Sequence, residues 1–479
     1  MAVDQSTEWV ERISRAESLA LKAAFEQLRM AHRREETAWS LARAESMLAT
    51  MVTKEPWRDL VIVEGSEFHV EGECGHWAFC THQIVDSSTG RKVFDTRSIL
   101  PTQSGRRRCR TQGAKELILF FGISRLSARD SAKAFARICH QEVRIAETTI
   151  RDLAEKDGLA IQADLERQAT EILNQPRKAM DSRPDDLDAV TIEEAFVKAE
   201  VPDELIKEAK TNLIPFTPPA ETVFSAPDAV FCKKQKERRT PPLALEPATS
   251  EPENGRKTVS ACCATLSYQG QRISLVAATY DALLRLVLAS LILNQLTGKY
   301  LCLLSDGERR LRDIFLPGLA PYGCSIHHVL DWHHLDQRAS QLLSLALRGK
   351  KIRNQHRTKL LRLLWFVCVE SAIQYIGAIP IADIKYQKPL PELVEYLRKR
   401  KDQIPVYAVR RQLGLANSSN AVEKANDRLV SARQKGFGMS WSQEGSLALA
   451  SIRMVSYNKQ EKLWLFAGKV SLIIPKLAA

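Results

Sequence analysis

The sequence predicts an α/β fold in which helices flank a mixed sheet. Strand-like runs occur at Ala229–Lys233, Lys257–Ser267 and Arg272–Ala277. A helix-like apolar segment, Tyr280–Gln295, and a strand-like run, Tyr300–Leu304, follow them directly. Short strands followed by a helix and a further strand are typical of a mixed sheet whose faces are covered by helices.

The bulk composition indicates a multi-domain protein with a polyanionic partner. The chain has 479 residues, which is too long for one small core. Lys and Arg number 69 against 57 Asp and Glu, and the resulting net charge of +12 favours nucleic acid as a partner.

Targeting signals and disulfide patterns are not evident. The most apolar stretch, Leu283–Leu293, is interrupted by Arg285 and is too short to span a bilayer. The residues after Met1 mix acids and bases, unlike a secretory signal. The 10 cysteines are scattered, which favours the reducing cytoplasm. Together with the lack of a membrane span or a secretory signal, this leads us to expect a cytoplasmic protein with no membrane partner.

Composition and pattern divide the chain into regions of different character. They are a helical arm at 1–57, a small β-rich region with Cys and His at 58–112, a helix-turn-helix-like DNA-binding region at 113–175, a linker at 176–220, a catalytic core at 221–460 with a helical insertion at about 335–410, and a C-terminal tail at 461–479.

The β-rich region contains Cys74, Cys80 and Cys109, which raises the question of a zinc site. Zinc-binding cysteine pairs usually have two residues between them, whereas five separate Cys74 from Cys80. We therefore favour incidental thiols over zinc at these positions.

Two short helices with polar starts suggest a DNA-binding motif. Ser127 can cap a helix at Ala128–His140, and a second helix at Ile150–Lys156 can be closed by Gly158. A basic run that can hold DNA precedes them and comprises Arg106, Arg107, Arg108 and Arg110. The pattern fits a helix-turn-helix, and two purely structural helices are the alternative.

Two acids follow neighbouring strand-like runs. Asp306 ends an apolar run and is followed by Gly307, and Asp331 follows the run Ser325–Leu330. Ligand sites in open α/β sheets lie at the carboxyl ends of strands, although an Asp-Gly pair also suits an ordinary turn.

Two further acids stand in different settings. Asp228 lies within an apolar strand, where a charge needs a partner such as a metal ion unless the strand is an edge facing solvent. Glu423 falls in the first turn of a helix that Ser418, Ser419 or Asn420 can cap. A glutamate there can also serve only to complement the helix dipole.

A family resemblance connects these acids. The motifs are DAVFCKKQKER at Asp228, LLSDG at Asp306, LDWHH at Asp331, SSNAVEKAN at Glu423 and RQKGFGMSWSQEGSL at Arg433–Leu447. In this order they resemble the motifs of bacterial insertion-sequence transposases of the Mutator-like superfamily, over roughly residues 220–460. The N-terminal cysteines and Ala229 depart from the family pattern.

The resemblance implies an RNase H-like core with a DDE triad of Asp228, Asp306 and Glu423. These carboxylates would hold two Mg²⁺ ions, for which oxygen ligands are suitable. Asp331 and His334 match the family's Asp-x-x-His motif and would support the site. An all-helical insertion would separate that motif from Glu423.

The function that follows is a DNA transposase that cleaves and joins strands, acting as a homo-oligomer on double-stranded DNA at terminal repeats and target. Lys233 and Lys234 would add contacts to the DNA backbone. Two alternatives stay open at this point: a catalytically silent DNA-binding protein derived from such a transposase, and a metal-dependent nuclease that cuts without joining.

Overall fold

The computed structural model divides the chain into two compact units, Met1–Asp157 with Lys459–Lys469, and Gly158–Asn458 with Val470–Ala479. The residues that the structure describes are 42, 46, 60–72, 75–95, 108–110, 112–122, 126–138, 144–176, 185–212, 214–235, 258–308, 310–436 and 439–475. The predicted arm at 1–57 therefore lies outside the described residues, apart from two single positions. None of the described helices is long and apolar enough to cross a membrane.

The first unit contains a four-stranded sheet in the order β3-β2-β1-β4. Its strands are β1 (Leu60–Gly72), β2 (Gly75–Asp86), β3 (Lys92–Asp95) and β4 (Arg108–Arg110). β2 runs antiparallel to both neighbours, and β4 runs parallel to β1. The helices that begin in this unit are α1 (Gln112–Glu116), which continues as a π-helix at Leu117–Gly122, α2 (Ala128–Ile138) and α3 (Glu147–Leu173).

A buried carboxylate connects distant parts of the first unit. Asp157 is 6% exposed and forms an ion pair with Lys115 at 2.8 Å. Its Oδ2 also accepts a hydrogen bond of 3.1 Å from Nε1 of Trp464, in the helix Glu461–Ala467. Because the charge has two partners, its burial is compensated.

The predicted start of α2 is confirmed, but the predicted end of the next helix is wrong. The hydroxyl of Ser127 accepts a hydrogen bond of 3.0 Å from the backbone N–H of Asp130. Helix α3 does not stop at Gly158 and runs on to Leu173. The glycine serves close packing here, since a Cβ at Gly158 would lie 2.2 Å from the carbonyl oxygen of Ala448.

The second unit is built on a five-stranded mixed sheet in the order β7-β6-β5-β8-β9. The strands are β5 (Thr222–Lys233), β6 (Thr258–Tyr268), β7 (Gln271–Ala277), β8 (Tyr300–Ser305) and β9 (Ser325–Leu330). Strand β6 is antiparallel to β5 and β7, whereas β5, β8 and β9 are parallel. The predicted α/β class with a mixed sheet is confirmed.

Helices surround this sheet and fill the segment between β9 and the C-terminal part of the unit. In chain order they are α4 (Ala189–Lys198), α5 (Asp203–Lys210), α6 (Tyr280–Leu293), α7 (Leu316–Leu319), α8 (Trp332–Ala346), α9 (Lys350–Trp365), α10 (Val369–Gly377), α11 (Pro389–Lys399), α12 (Tyr407–Gln412), α13 (Asn420–Asn426), α14 (Ala432–Gln434) and α15 (Gln443–Tyr457). Helices α6 and α15 both pack against β6 and β7, and α13 packs against β5 and β6.

The region predicted as a linker, 176–220, contains the two helices α4 and α5. Phe196 of α4 and Ala209 of α5 belong to the same buried cluster as Leu343 of α8 and Leu393 of α11. The charged surface of these short helices hid their apolar contacts in the sequence. The helices between β9 and α13 therefore share a core with a segment that precedes the sheet.

Replacing Gly158 with alanine should destabilise the protein by about 1–3 kcal/mol, the usual cost of overpacking. The added methyl group would meet backbone atoms of Ala448, which cannot rotate away. Gly377→Ala is the matched control, because a Cβ there meets no atom within 4 Å. It should be neutral or stabilising by about 0.4–1 kcal/mol. Denaturant unfolding of both variants measures the difference, and equal midpoints would contradict the packing role of Gly158.

Candidate metal and catalytic site

Three aspartates lie at one level of the parallel strands. Ser225 of β5 pairs with Leu303 of β8, and Asp228 and Asp306 each follow this pair by three positions. Ser305 pairs with Leu330 of β9, and Asp306 and Asp331 are the next residues of the two strands. Adjacent strands lie about 4.8 Å apart, so Asp228, Asp306 and Asp331 belong to neighbouring backbones at the same edge of the sheet.

Asp228 is partly buried and is held by the helix that follows the insertion. Its Oδ2 accepts a hydrogen bond of 2.6 Å from Nδ2 of Asn426, in α13. Burial raises the pKa of Asp228, a hydrogen bond from the N–H of Ala229 lowers it, and the charges of Asp306 and Glu308 raise it further. These acids therefore lie within electrostatic range of one another.

The turn that carries Asp306 is held from two sides. Gly307 has a φ of +84°, and its N–H donates to the Ser305 hydroxyl at 3.1 Å. The same hydroxyl lies 2.7 Å from Nε2 of His328, whose pKa burial lowers to about 4. Nη2 of Arg400 donates to the carbonyl of Gly307 at 3.2 Å. The neutral imidazole and the arginine together fix the direction in which the turn leaves β8.

Asp331 is fully buried and has structural partners on both oxygens. Its Oδ1 accepts a hydrogen bond of 3.0 Å from the N–H of His334, and Asp331 thereby caps the N-terminus of α8. Its Oδ2 accepts from the backbone N–H of Ser419 and, at 2.9 Å, from the Ser419 hydroxyl. Of the three residues predicted to cap α13, Ser419 occupies the cap position, but its hydroxyl donates to Asp331 and makes no capping hydrogen bond.

His334 and Glu423 meet beside Asp331. The Oε1 atom of Glu423 lies 3.3 Å from Nε2 of His334. This oxygen is buried and makes no hydrogen bond with the described residues. One donor atom from each of Asp331, His334 and Glu423 lies within 4.8 Å of the other two, so the three residues could hold a metal ion.

Two residues near the acids were missed by the sequence analysis. Glu308 lies in the turn of Asp306, and its N–H donates to Oδ1 of Asp306 at 2.8 Å. Asn426 follows Glu423 by three residues, which places both on one side of a helix. That spacing was visible in the sequence, but nothing in it pointed to Asp228 as the partner of Asn426.

The remaining predicted site residues have varied outcomes. Lys233 and Lys234 are exposed at the end of β5. Arg108 and Arg110 lie on β4, as does Cys109, and Cys80 lies on β2, but the side chains of these four are outside the described part. Arg106, Arg107 and Cys74 lie outside the described residues altogether. The zinc question and the DNA contacts of these arginines stay predictions.

The comparisons with known proteins add little. Neither a protein-family model nor a curated protein matches this sequence. Among solved structures, the chain is similar to the Drosophila P element transposase strand transfer complex at 10% sequence identity. That similarity covers 75% of this chain and 95% of the other, with a TM-score of 0.31. A TM-score of this size does not establish a shared fold.

Asp228→Asn should stabilise the metal-free protein at neutral pH. Burial raises the pKa of Asp228 above its ordinary value of 3.8, so the folded state disfavours the charged carboxylate. Such a group contributes stability that is present below the unfolded pKa and lost as the pH rises through the folded pKa. Asparagine does not ionise, so the variant should melt at a higher temperature than wild type at neutral pH.

The pH dependence provides the check on this prediction. The gap in melting temperature should shrink as the pH falls through the raised pKa of Asp228 in the folded state, because the wild-type carboxyl then takes up its proton. Thermal unfolding with a chelator present, over a series of pH values, measures this gap. A variant that is less stable at every pH would show that the hydrogen bond from Asn426 outweighs the cost of the buried charge.

Proposed function

We propose that the chain is a DNA transposase that cleaves and joins DNA strands with two Mg²⁺ ions held by Asp228, Asp306 and Glu423. The observation that carries the proposal is the hydrogen bond from Asn426 to Asp228. It connects the helix of Glu423 to the strand of Asp228, although the two acids are 423 − 228 = 195 positions apart. The charge of Asp306 raises the pKa of Asp228, which indicates that these two carboxylates lie near each other.

The sheet topology supports an RNase H-like core of the Mutator-like type. Numbered within the unit, the strand order is 3-2-1-4-5, and only the second strand is antiparallel to the others. Such a mixed sheet is consistent with the RNase H-like core that the resemblance implies. The helices between β9 and α13 occupy the place where the resemblance implies an all-helical insertion.

The donor chemistry supports a hard divalent cation. The candidate ligands offer carboxylate oxygens, the atoms that Mg²⁺ prefers, and the buried Oε1 of Glu423 has no hydrogen bond within the described part of the chain. Two bound cations would activate the attacking oxygen and stabilise the leaving oxygen of the phosphodiester. His334 lies against Glu423 and is suited to orienting that carboxylate.

Basic residues near the acids suit the phosphates of DNA. Arg400 reaches the turn of Asp306, and its neighbours Arg398, Lys399 and Lys401 are exposed. Lys233 is exposed on the strand of Asp228. Contacts from such side chains give sequence-independent and salt-sensitive affinity.

Asp306→Asn should reduce strand cleavage and joining on the order of 1000-fold, because loss of a metal ligand removes several kcal/mol of transition-state stabilisation. DNA affinity should stay near that of wild type, since it comes mainly from Lys and Arg contacts. The exposed Asp203 at the start of α5 provides the control variant Asp203→Asn, which should keep full activity. His334→Ala should lose only roughly 10–100-fold, as expected of a supporting residue.

The assay uses a labelled terminal-repeat oligonucleotide and plasmid DNA at several Mg²⁺ concentrations. Joined product supports the transposase, nicking alone would indicate a nuclease, and binding without cleavage would indicate a catalytically silent protein. Near-normal cleavage by a folded Asp306→Asn protein would show that Asp306 only shapes a turn.

We expect the basic run of the N-terminal region to hold the phosphate backbone of terminal-repeat DNA. Because α3 is continuous from Glu147 to Leu173, a truncation at residue 160 would cut through a helix. A cleaner test changes the basic run Arg106, Arg107, Arg108 and Arg110 to alanine in the full chain. The affinity for terminal-repeat DNA should fall. The slope of the logarithm of the binding constant against the logarithm of salt concentration should become less negative by about 0.9 per lost phosphate contact. Unchanged affinity and salt slope would argue against these contacts.

A further inference from the structure

We propose that Glu308 and Asn426 are two further ligands of the cation beside Asp228 and Asp306. This inference rests on the proposed metal-dependent function and adds residues that the family motifs do not assign. The proposed ligand atoms are all oxygens, from the carboxylates of Asp228, Asp306 and Glu308 and the side-chain amide of Asn426.

Glu308 is held in place from outside the turn that carries it. The hydroxyl of Tyr280, the first residue of α6, donates to Oε2 of Glu308. Tyr280 is 3% exposed, and burial followed by this bond raises its pKa, so it stays a neutral donor. The hydrogen bond from the Glu308 N–H to Asp306 keeps the two acids in one turn. One oxygen of Glu308 is thereby anchored, and the other, 3.8 Å from Nε of Arg310, is the one that we assign to the cation.

Asn426 contributes a buried oxygen without a hydrogen-bond partner. The residue is 6% exposed, and its Nδ2 is bonded to Asp228 while its Oδ1 finds no hydrogen-bond partner among the described residues. Both atoms belong to one planar amide, so Oδ1 lies close to the Asp228 carboxylate. An unpaired buried carbonyl oxygen is costly, and coordination of a cation would satisfy it.

The charges around this position also favour a cation. Burial, Asp306 and Glu308 all raise the pKa of Asp228, so its charge is disfavoured by its surroundings and by both neighbouring carboxylates. Glu308 forms a long ion pair with Arg310, whose Nε lies 3.8 Å from Oε1 and whose side chain is half exposed. A bound divalent ion would relieve this repulsion more effectively than a half-exposed arginine at 3.8 Å.

The donor set differs from that of the cluster at Glu423. Asp331, His334 and Glu423 include an imidazole nitrogen, which suits a softer or borderline metal. Carboxylate and amide oxygens are instead typical ligands of Mg²⁺, Mn²⁺ and Ca²⁺. The position beside Asp228 should therefore account for most of the binding of Ca²⁺ alone.

Two substitutions test the proposal in opposite directions. Glu308→Gln keeps an oxygen that can accept from Tyr280 but removes the charge, so the dissociation constant for Ca²⁺ should rise roughly 10–100-fold. Asn426→Asp adds a carboxylate ligand and removes the N–H donor to Asp228. It should lower the melting temperature of the metal-free protein, yet tighten Ca²⁺ binding and enlarge the melting-temperature rise that Ca²⁺ causes.

Asn294→Asp is the matched control for the second substitution. Asn294 is partly buried, and both of its side-chain atoms are bonded to the C-terminal segment, through Leu472 and Ile474. This variant should lose stability without changing Ca²⁺ affinity. Calorimetric titration of the full-length proteins with Ca²⁺, together with thermal unfolding, measures both quantities without any need for catalysis.

The outcomes separate this inference from the proposed function. Weaker binding in Glu308→Gln together with tighter binding in Asn426→Asp supports the proposal. Wild-type dissociation constants in both variants, with cleavage by the wild-type protein still dependent on metal, would overturn the roles of Glu308 and Asn426 alone. A wild-type protein that neither binds Ca²⁺ nor cleaves DNA in Mg²⁺ would overturn the proposed function and this inference with it.

Discussion

The buried carboxylate of Asp331 is the contact on which the second unit depends. It stands where the chain leaves the sheet for the helical segment, and it binds Ser419, where the chain returns. The N–H of Trp332 donates to the carbonyl of Asn417 at 3.0 Å and reinforces the same junction. Closing a loop of this length has an entropic cost, and a buried charge must be fully hydrogen-bonded. Because Asp331 meets both demands at one point, α13 begins at a defined place on the sheet.

The part of the candidate site that α13 carries follows from that placement. Helix α13 carries Glu423 next to His334 and Asn426 onto Asp228. A shift of this helix would move Glu423 away from the aspartates and, at the same time, break the hydrogen bond from Asn426 to Asp228. The cost of burying Asp228, and of placing it near Asp306 and Glu308, appears in its raised pKa. Functional sites commonly store such unfavourable interactions, and the rest of the unit compensates for them through apolar burial and hydrogen bonds.

Local patterns predicted individual elements well where one physical signal dominated. The strand Ser325–Leu330 was predicted with the bounds it has in the structure, because an apolar run between turn signals leaves few other choices. Prediction was wrong where tertiary contacts override a local preference. Gly158 suits the end of a helix, yet close packing on Ala448 uses it within one. The Ser419 hydroxyl suits a cap, yet it binds Asp331.

The sequence by itself determined the α/β class and identified Asp228, Asp306, Asp331, His334 and Glu423 as candidates, because strand and helix periodicity and short motifs are local properties. Only the tertiary structure decided which of them are neighbours. Register across three parallel strands puts the aspartates at one level, and a single amide joins distant segments. The addition of Glu308 and Asn426 likewise needed the fold, because a contact between residues far apart in the chain leaves no periodic trace in the sequence.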